Sequence, residues 1–159
     1  MTAQAATEMA DRHFKAKAAD LRRWIDTAEY QTERAGTDEG FRKLAAFSLH
    51  QAVETAYACF LLVHTFYFPR SHNIKFLRSL AEDVNTSLVE AWPRESRFDR
   101  RRFELLKRAY VEARYSDQYD ASAEDLEWLM GRARHLRDRV EELSKARIED
   151  LRVKAGSAG

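Results

Sequence analysis

One cysteine, two prolines and five glycines are nearly all this chain has in cross-links and chain breakers. The single Cys59 cannot close an intrachain disulfide, and in the run AYACFLL it reads as a small buried hydrophobe. A reducing, cytoplasmic setting is the simplest expectation. So few glycines and prolines in 159 residues exclude collagen-like and low-complexity chains and leave little material for the many turns of a sandwich. Charge of one sign is missing too. With 27 basic against 26 acidic side chains the net charge is +1, so any grip on nucleic acid or an anionic membrane has to be local. The longest mostly apolar segment, Ala56 to Val63, falls short of the roughly 18 residues of a membrane span, and no charged-then-apolar leader opens the chain. No HExxH, CxxC or glycine-rich phosphate loop occurs, which removes the usual metalloprotease, zinc and P-loop chemistries.

What is present is helical periodicity. Phe14, Leu21, Ile25 and Ala28 mark a first helix from about Thr7 to Ala35, ended by Gly36, and Thr37 or Asp38 caps a second. That second helix is apolar all round from Ala56 onward and belongs at the centre of a bundle. Pro69 is expected to stop it, and Ser71 to cap a short third helix carrying Ile74, Leu77, Leu80 and Val84. Thr86 to Ser96, with Trp92 and Pro93, reads as a connection with one helical turn around Leu88. Phe103, Leu106, Tyr110 and Ala113 then form an apolar stripe that runs into Arg114 and a tyrosine-rich turn. Ser122 and Asp125 make an approximate capping box before Leu126, Leu129, Ala133, Leu136, Val140 and Leu143, a seam for neighbouring helices or a second copy of the chain. No alternating strand pattern and no repeat intervenes. The expected fold is all-α, an up-and-down bundle of about five helices, four long and one or two short, in one domain over residues 1–152 with a frayed tail at 153–159.

Three groups of residues bear on chemistry. His50, Gln51 and Glu54 share the second helix, with His72 in the loop after it. They form either two imidazoles and a carboxylate for a metal or a polar network tying the helix to its turn, and the network is the favoured reading. His64, among Val63, Thr65 and Phe66, reads as a helix-face histidine. Between Arg94 and Arg114 eight basic residues face four acidic ones, a patch suited to phosphate or a solvated face with ion pairs such as Glu104 with Arg108. Arg114 closes its helix, where a cation complements the helix dipole. The same position offers a guanidinium fork to phosphate, with Tyr115 and Tyr119 beside it to stack on a base, unless Asp117 or Asp120 takes the charge.

The runs FSLHQAVETAYACFLL, PRSHNIKFLRSLAE and FELLKRAYVEARYSDQYDASAEDLEWL resemble the HEPN family (higher eukaryotes and prokaryotes nucleotide-binding), in particular the branch found beside minimal nucleotidyltransferases. The resemblance covers about residues 12 to 145 and implies an all-α bundle, frequent homodimers and a role tied to nucleotides or RNA. Many family members resemble one another in a ribonuclease motif, arginine, four to six residues, then histidine. Here Arg114 is followed by Tyr119 at that spacing, and a phenol with an ordinary pKa of about 10 is a poor base near neutrality. The resemblance therefore implies a non-catalytic module in a toxin–antitoxin-like or defence-type system. Arg114, Tyr115, Tyr119 and Arg108 would bind a nucleotide or RNA end, and His50, Gln51, Glu54 and His72 would line the cleft or fix its walls. Tyr119 is also a candidate acceptor for a nucleotidyl group. No cofactor and no metal are implied. A divergent metal-independent ribonuclease using Arg114 with His72, and a plain helical interaction module, are the alternatives.

Overall fold

Most helices begin at a side chain that supplies a missing acceptor. In the computed structural model, which describes residues 1–158, Thr2 caps α1 (Ala3–Ala35), its hydroxyl accepting from Ala5 N–H at 3.0 Å, and Asp38 caps α2 (Glu39–Thr65) through Phe41 N–H. Asn73 caps α3 (Ile74–Val84), Asn85 caps a 3₁₀ segment (Thr86–Ala91), and Ser96 caps α4 (Arg97–Tyr115). Before α5 (Ala123–Ala158) the capping box is complete: Asp125 N–H donates to Ser122 Oγ at 3.0 Å and Ser122 N–H to Asp125 Oδ2 at 3.1 Å. The chain is all-α, with no strand among the described residues.

Cross-links between helices fix the directions. Ser48 bonds Gln31 and Glu29 pairs with Arg134, so α1 runs antiparallel to both α2 and α5. Lys43 reaches the Ser116 carbonyl while Tyr110 lies by Phe47, so α4 is antiparallel to α2. Helix α2 touches every other helix, as its all-round apolar surface demands. It is long and apolar enough by composition to cross a membrane, yet 72% of that stretch is buried in the bundle. Cys59 lies there, wholly buried, its thiol pushed up to about 12 by that burial.

Several expectations change. Helix α1 starts at Ala3, not near Thr7, and Asn73 is the third cap, with Ser71 only bonding Asn73 N–H. Pro69 does not stop α2. The helix ends at Thr65, four residues earlier, where the cap Phe66 turns left-handed (φ 59) and its N–H returns to the Leu62 carbonyl. The segment read as a connection holds the largest fully buried side chain, Trp92, whose indole donates to Tyr57 Oη at 3.0 Å. Arg132 of α5 clamps that segment by donating to the Ala91 and Glu90 carbonyls. Along α5, Leu126, Leu129, Ala133, Leu136 and Val140 are buried inside the chain itself, so that seam is spent on α1 and α2. Residues 153–158, expected as a frayed tail, continue α5, and residue 159 lies outside the described residues.

Candidate functional site

The polar residues of α2 project where α4 and the loop after α2 converge. One helical turn separates His50 from Glu54, so both face that loop, which holds the only two non-glycine residues in the left-handed region among the described residues, Phe66 and Arg70 (φ 52). Such geometry persists only where surrounding contacts determine it. Here they do: the His50 imidazole bonds the backbone carbonyl of His72 at 3.0 Å, and the His72 imidazole closes back on the Glu54 carboxylate. Two side chains of α2 thus hold one loop residue at both its backbone and its ring.

Burial sets the protonation of this cluster. His50 is wholly buried, and desolvation, with the charges of His72 and Arg114 adding to it, lowers its pKa to about 4 against the opposing pull of its hydrogen bonds. The ring is therefore neutral at pH 7, with Nε2–H donating to the His72 carbonyl. Its Nδ1 lies 3.3 Å from Gln51 Oε1, a contact that an unprotonated Nδ1 turns into a hydrogen bond only with the amide turned over so that its NH₂ group donates. Burial likewise pushes the Glu54 carboxyl above the usual carboxylate range, although the His72 hydrogen bond and charge and the Lys17 charge pull the other way. Contacts of 3.3 Å or less run from Gln51 to His50, from His50 to the His72 backbone and from the His72 ring to Glu54. Among the described residues no group of three or more His, Cys, Asp or Glu is placed to hold a metal ion.

Tyr110 of α4 joins the network to Arg114. The His72 ring stacks on Tyr110 at 4.1 Å between centroids and 13° between planes, His50 lies 5.4 Å from it and Phe47 6.1 Å. One turn on, the Arg114 guanidinium sits 4.7 Å from the Tyr110 centroid, 4.8 Å from Phe47 and 5.1 Å from Tyr115, inside cation–π range of all three. Its Nε donates to the Tyr110 carbonyl at 2.9 Å. Asp117 and Asp120 do not take the charge. Asp120 pairs with Arg42, and Arg114 forms no ion pair among the described residues, leaving both terminal NH₂ groups free. His72 presents a similar vacancy, since its Nδ1 is occupied by Glu54 and its Nε2 has no partner among the described residues.

Two predicted residues are elsewhere. Tyr119 is 3% exposed, and its hydroxyl donates to the Leu105 carbonyl at 2.8 Å on the far side of α4. Because the chain turns back into the core after Ser116, this phenol neither stacks on a ligand nor offers its oxygen for modification. Arg108, two residues from Tyr110, projects about 200° away from it around the helix. It bonds Glu112 and covers the Tyr119 ring at 5.9 Å. Glu104, the partner expected for Arg108, instead pairs with Lys75 and Lys107. His64 bonds the Phe60 carbonyl and stacks on Phe60. Tyr110 and Phe47 are the members the sequence reading missed: both fit core stripes, and the signal was only their position one turn from Arg114 and His50.

A sequence model of the HEPN domain matches residues 21–143. The chain belongs to the HEPN domain family. That membership carries a nucleotide- or RNA-related role in general terms, and the matched span contains every residue of the cluster just described. No curated protein matches the chain.

Proposed function

We propose that this HEPN domain binds a nucleotide or RNA end at Arg114 without cleaving it, and serves as partner subunit of a minimal nucleotidyltransferase. One observation carries the binding reading. Arg114 is a solvent-exposed guanidinium with two free NH₂ groups, no carboxylate partner among the described residues and three aromatic rings within about 5 Å. Phosphate takes such a fork in bidentate fashion, and Tyr115, 75% exposed, is available to stack on the base. The helix C-terminus holds the cation but gives it no anion. Titration of the protein with fluorescent AMP and ATP analogues is expected to give saturable binding that Arg114→Ala abolishes, and equal affinity in the variant overturns the site.

The partner half rests on the likeness to the nucleotidyltransferase-associated branch. A small nucleotidyltransferase reading frame beside this one, whose tagged product retains this chain on co-expression, is the expected result, and no retention overturns it. A homodimer stays within the proposal, on a face other than the buried α5 seam. Sedimentation tests it, a single monomeric species counting against it.

A second reading has its own observation. His72 is oriented by Glu54, keeps Nε2 free and shares the Tyr110 ring with Arg114, an arrangement suited to proton transfer beside a bound phosphate. It expects RNA fragments that disappear in His72→Ala. Intact RNA after incubation with the wild-type protein rejects it.

A further inference from the structure

The basic run that opens α4 has a part that the Arg114 site does not use. Between α3 and the start of α4 lies a cavity of about 310 Å³, lined by the cations Lys75, Arg78, Arg94 and Arg100, by one carboxylate, Glu104, and by Pro93 and Phe103 as its apolar wall. Its charges do not cancel. Arg94 is taken by Glu82 in a bidentate pair at 2.6 and 3.0 Å, and Lys75 shares Glu104 with Lys107 at 3.2 and 3.7 Å. Arg100 donates only to the Arg94 and Glu95 carbonyls. Arg78 is half-buried, 4.0 Å over the Phe103 ring, with no carboxylate and no hydrogen-bond partner among the described residues. Burial and the neighbouring Arg94 charge lower its pKa, while the Glu82, Tyr57 and Glu104 charges pull it back up.

This cavity and the Arg114 site share one stripe of α4. Arg100, Glu104, Lys107, Tyr110 and Arg114 recur at steps of three or four and line the same side of the helix, which faces α3 and the His72 loop. By the 1.5 Å rise per residue, Arg100 and Arg114 lie about 21 Å apart along the axis. Cations at both ends, a neutralised middle and stacking rings at one end suit a strand that carries phosphates at intervals and bases between them.

We infer that the Arg78–Arg100 cavity is a second phosphate site, and that the ligand is a single-stranded RNA lying along the α3–α4 groove with one end at Arg114. This rests on the nucleotide-binding reading of Arg114 and extends it from a mononucleotide to a strand of roughly 4 nucleotides or more, the lower end of single-strand site sizes.

Fluorescence anisotropy with a labelled single-stranded RNA of roughly eight nucleotides, beside a labelled AMP, tests it. Arg78→Gln/Arg100→Gln is expected to weaken RNA binding about tenfold or more and to lower the salt dependence by about 0.7 for each phosphate no longer neutralised, with AMP binding unchanged. Wild-type RNA affinity in this variant overturns the second site, while loss of AMP binding in Arg114→Ala still upholds the first. RNA binding lost in the double variant, with AMP unaffected by Arg114→Ala, overturns the first site and leaves the cavity standing as the RNA site. Arg100 is exposed, so Arg100→Gln alone, expected to weaken RNA binding about threefold, reads the cavity independently of any effect of Arg78 on folding. An oligo-aspartate of equal charge binding as tightly overturns the assignment to nucleic acid.

Discussion

Arg114 and Tyr119 stand five residues apart at one helix end, and their surroundings are opposite. Around Tyr119 polar groups are matched: the phenol bonds Leu105, Arg108 lies over its ring and bonds Glu112, and the Asp125 carboxylate receives Arg101, Arg102 and the Ser122 N–H. Around Arg114 the donors outnumber the acceptors. A matched cluster contributes to folding, whereas an unmatched one held by rigid neighbours is available to a ligand. The same contrast separates Arg94, closed by Glu82, from Arg78 in the cavity beside it.

The largest way to break this contrast is on the matched side. Asp125 is 5% exposed, and although burial alone would raise its pKa, hydrogen bonds from Ser122 and Arg102 and the Arg101 charge hold it below the usual carboxylate range. Asp125→Ala takes the acceptor from two arginines and removes half of the capping box, so a loss of about 3–5 kcal/mol is expected in urea denaturation. A loss below about 1 kcal/mol would show that Asp125 contributes no more than a surface pair.

Next comes pH, through His50. Its folded pKa of about 4 lies below the ordinary 6.5, so between those values the unfolded chain binds the proton and the native one does not. Stability from this group is complete above pH 6.5, declines as pH falls, and by pH 4 about 3 kcal/mol has gone. Glu54, shifted upward, acts with the opposite sign in its own range, since its native form takes a proton first. The comparison is therefore with His50→Gln, in which the His50 contribution to the slope vanishes while that of Glu54 remains. Identical slopes in the two proteins would mean that His50 titrates normally.

How much of this was legible depended on the reach of the signal. The apolar seam of α5, the central position of α2 and the Ser122–Asp125 box are readable because each is set by the residues of one helix and its cap. Phe66 was not, since a left-handed phenylalanine leaves no compositional trace and Pro69 offered a false stop nearby. Tyr119 was misplaced because five residues of spacing do not reveal that the chain turns inward at Ser116. Tyr110 passed as core because it fits the Phe103 stripe, and only the approach of a loop 38 positions earlier, carrying His72, makes it the hub of a polar cluster. That His50, Gln51, Glu54 and His72 lie together is legible because a helix turn and its following loop are near in sequence, whereas their approach to Arg114 is a tertiary event.

Tyr119→Phe is a smaller perturbation. It deletes one hydroxyl and leaves the Leu105 carbonyl without that donor, for an expected cost of about 1 kcal/mol in urea denaturation. AMP binding should be untouched. A loss of binding without a loss of stability would return Tyr119 to the ligand site.

The smallest stability effect is the most informative, because Arg114 has little to lose by truncation in the absence of ligand. Its side chain is exposed, its one hydrogen bond goes to a carbonyl at its own helix terminus, and no carboxylate is left unpaired when it goes. Arg114→Ala is thus expected to stay within about 0.5 kcal/mol of wild type, the range of ordinary surface substitutions. Cation–π attraction to three rings contributes only modestly at an exposed position. If urea denaturation instead reveals a loss near that of Asp125→Ala, Arg114 is a structural clamp between α2 and α4 and the contrast with Tyr119 collapses. Unchanged stability together with lost AMP binding separates the two roles, because only a group unmatched in the folded protein can be removed without cost to the fold and with full cost to the ligand.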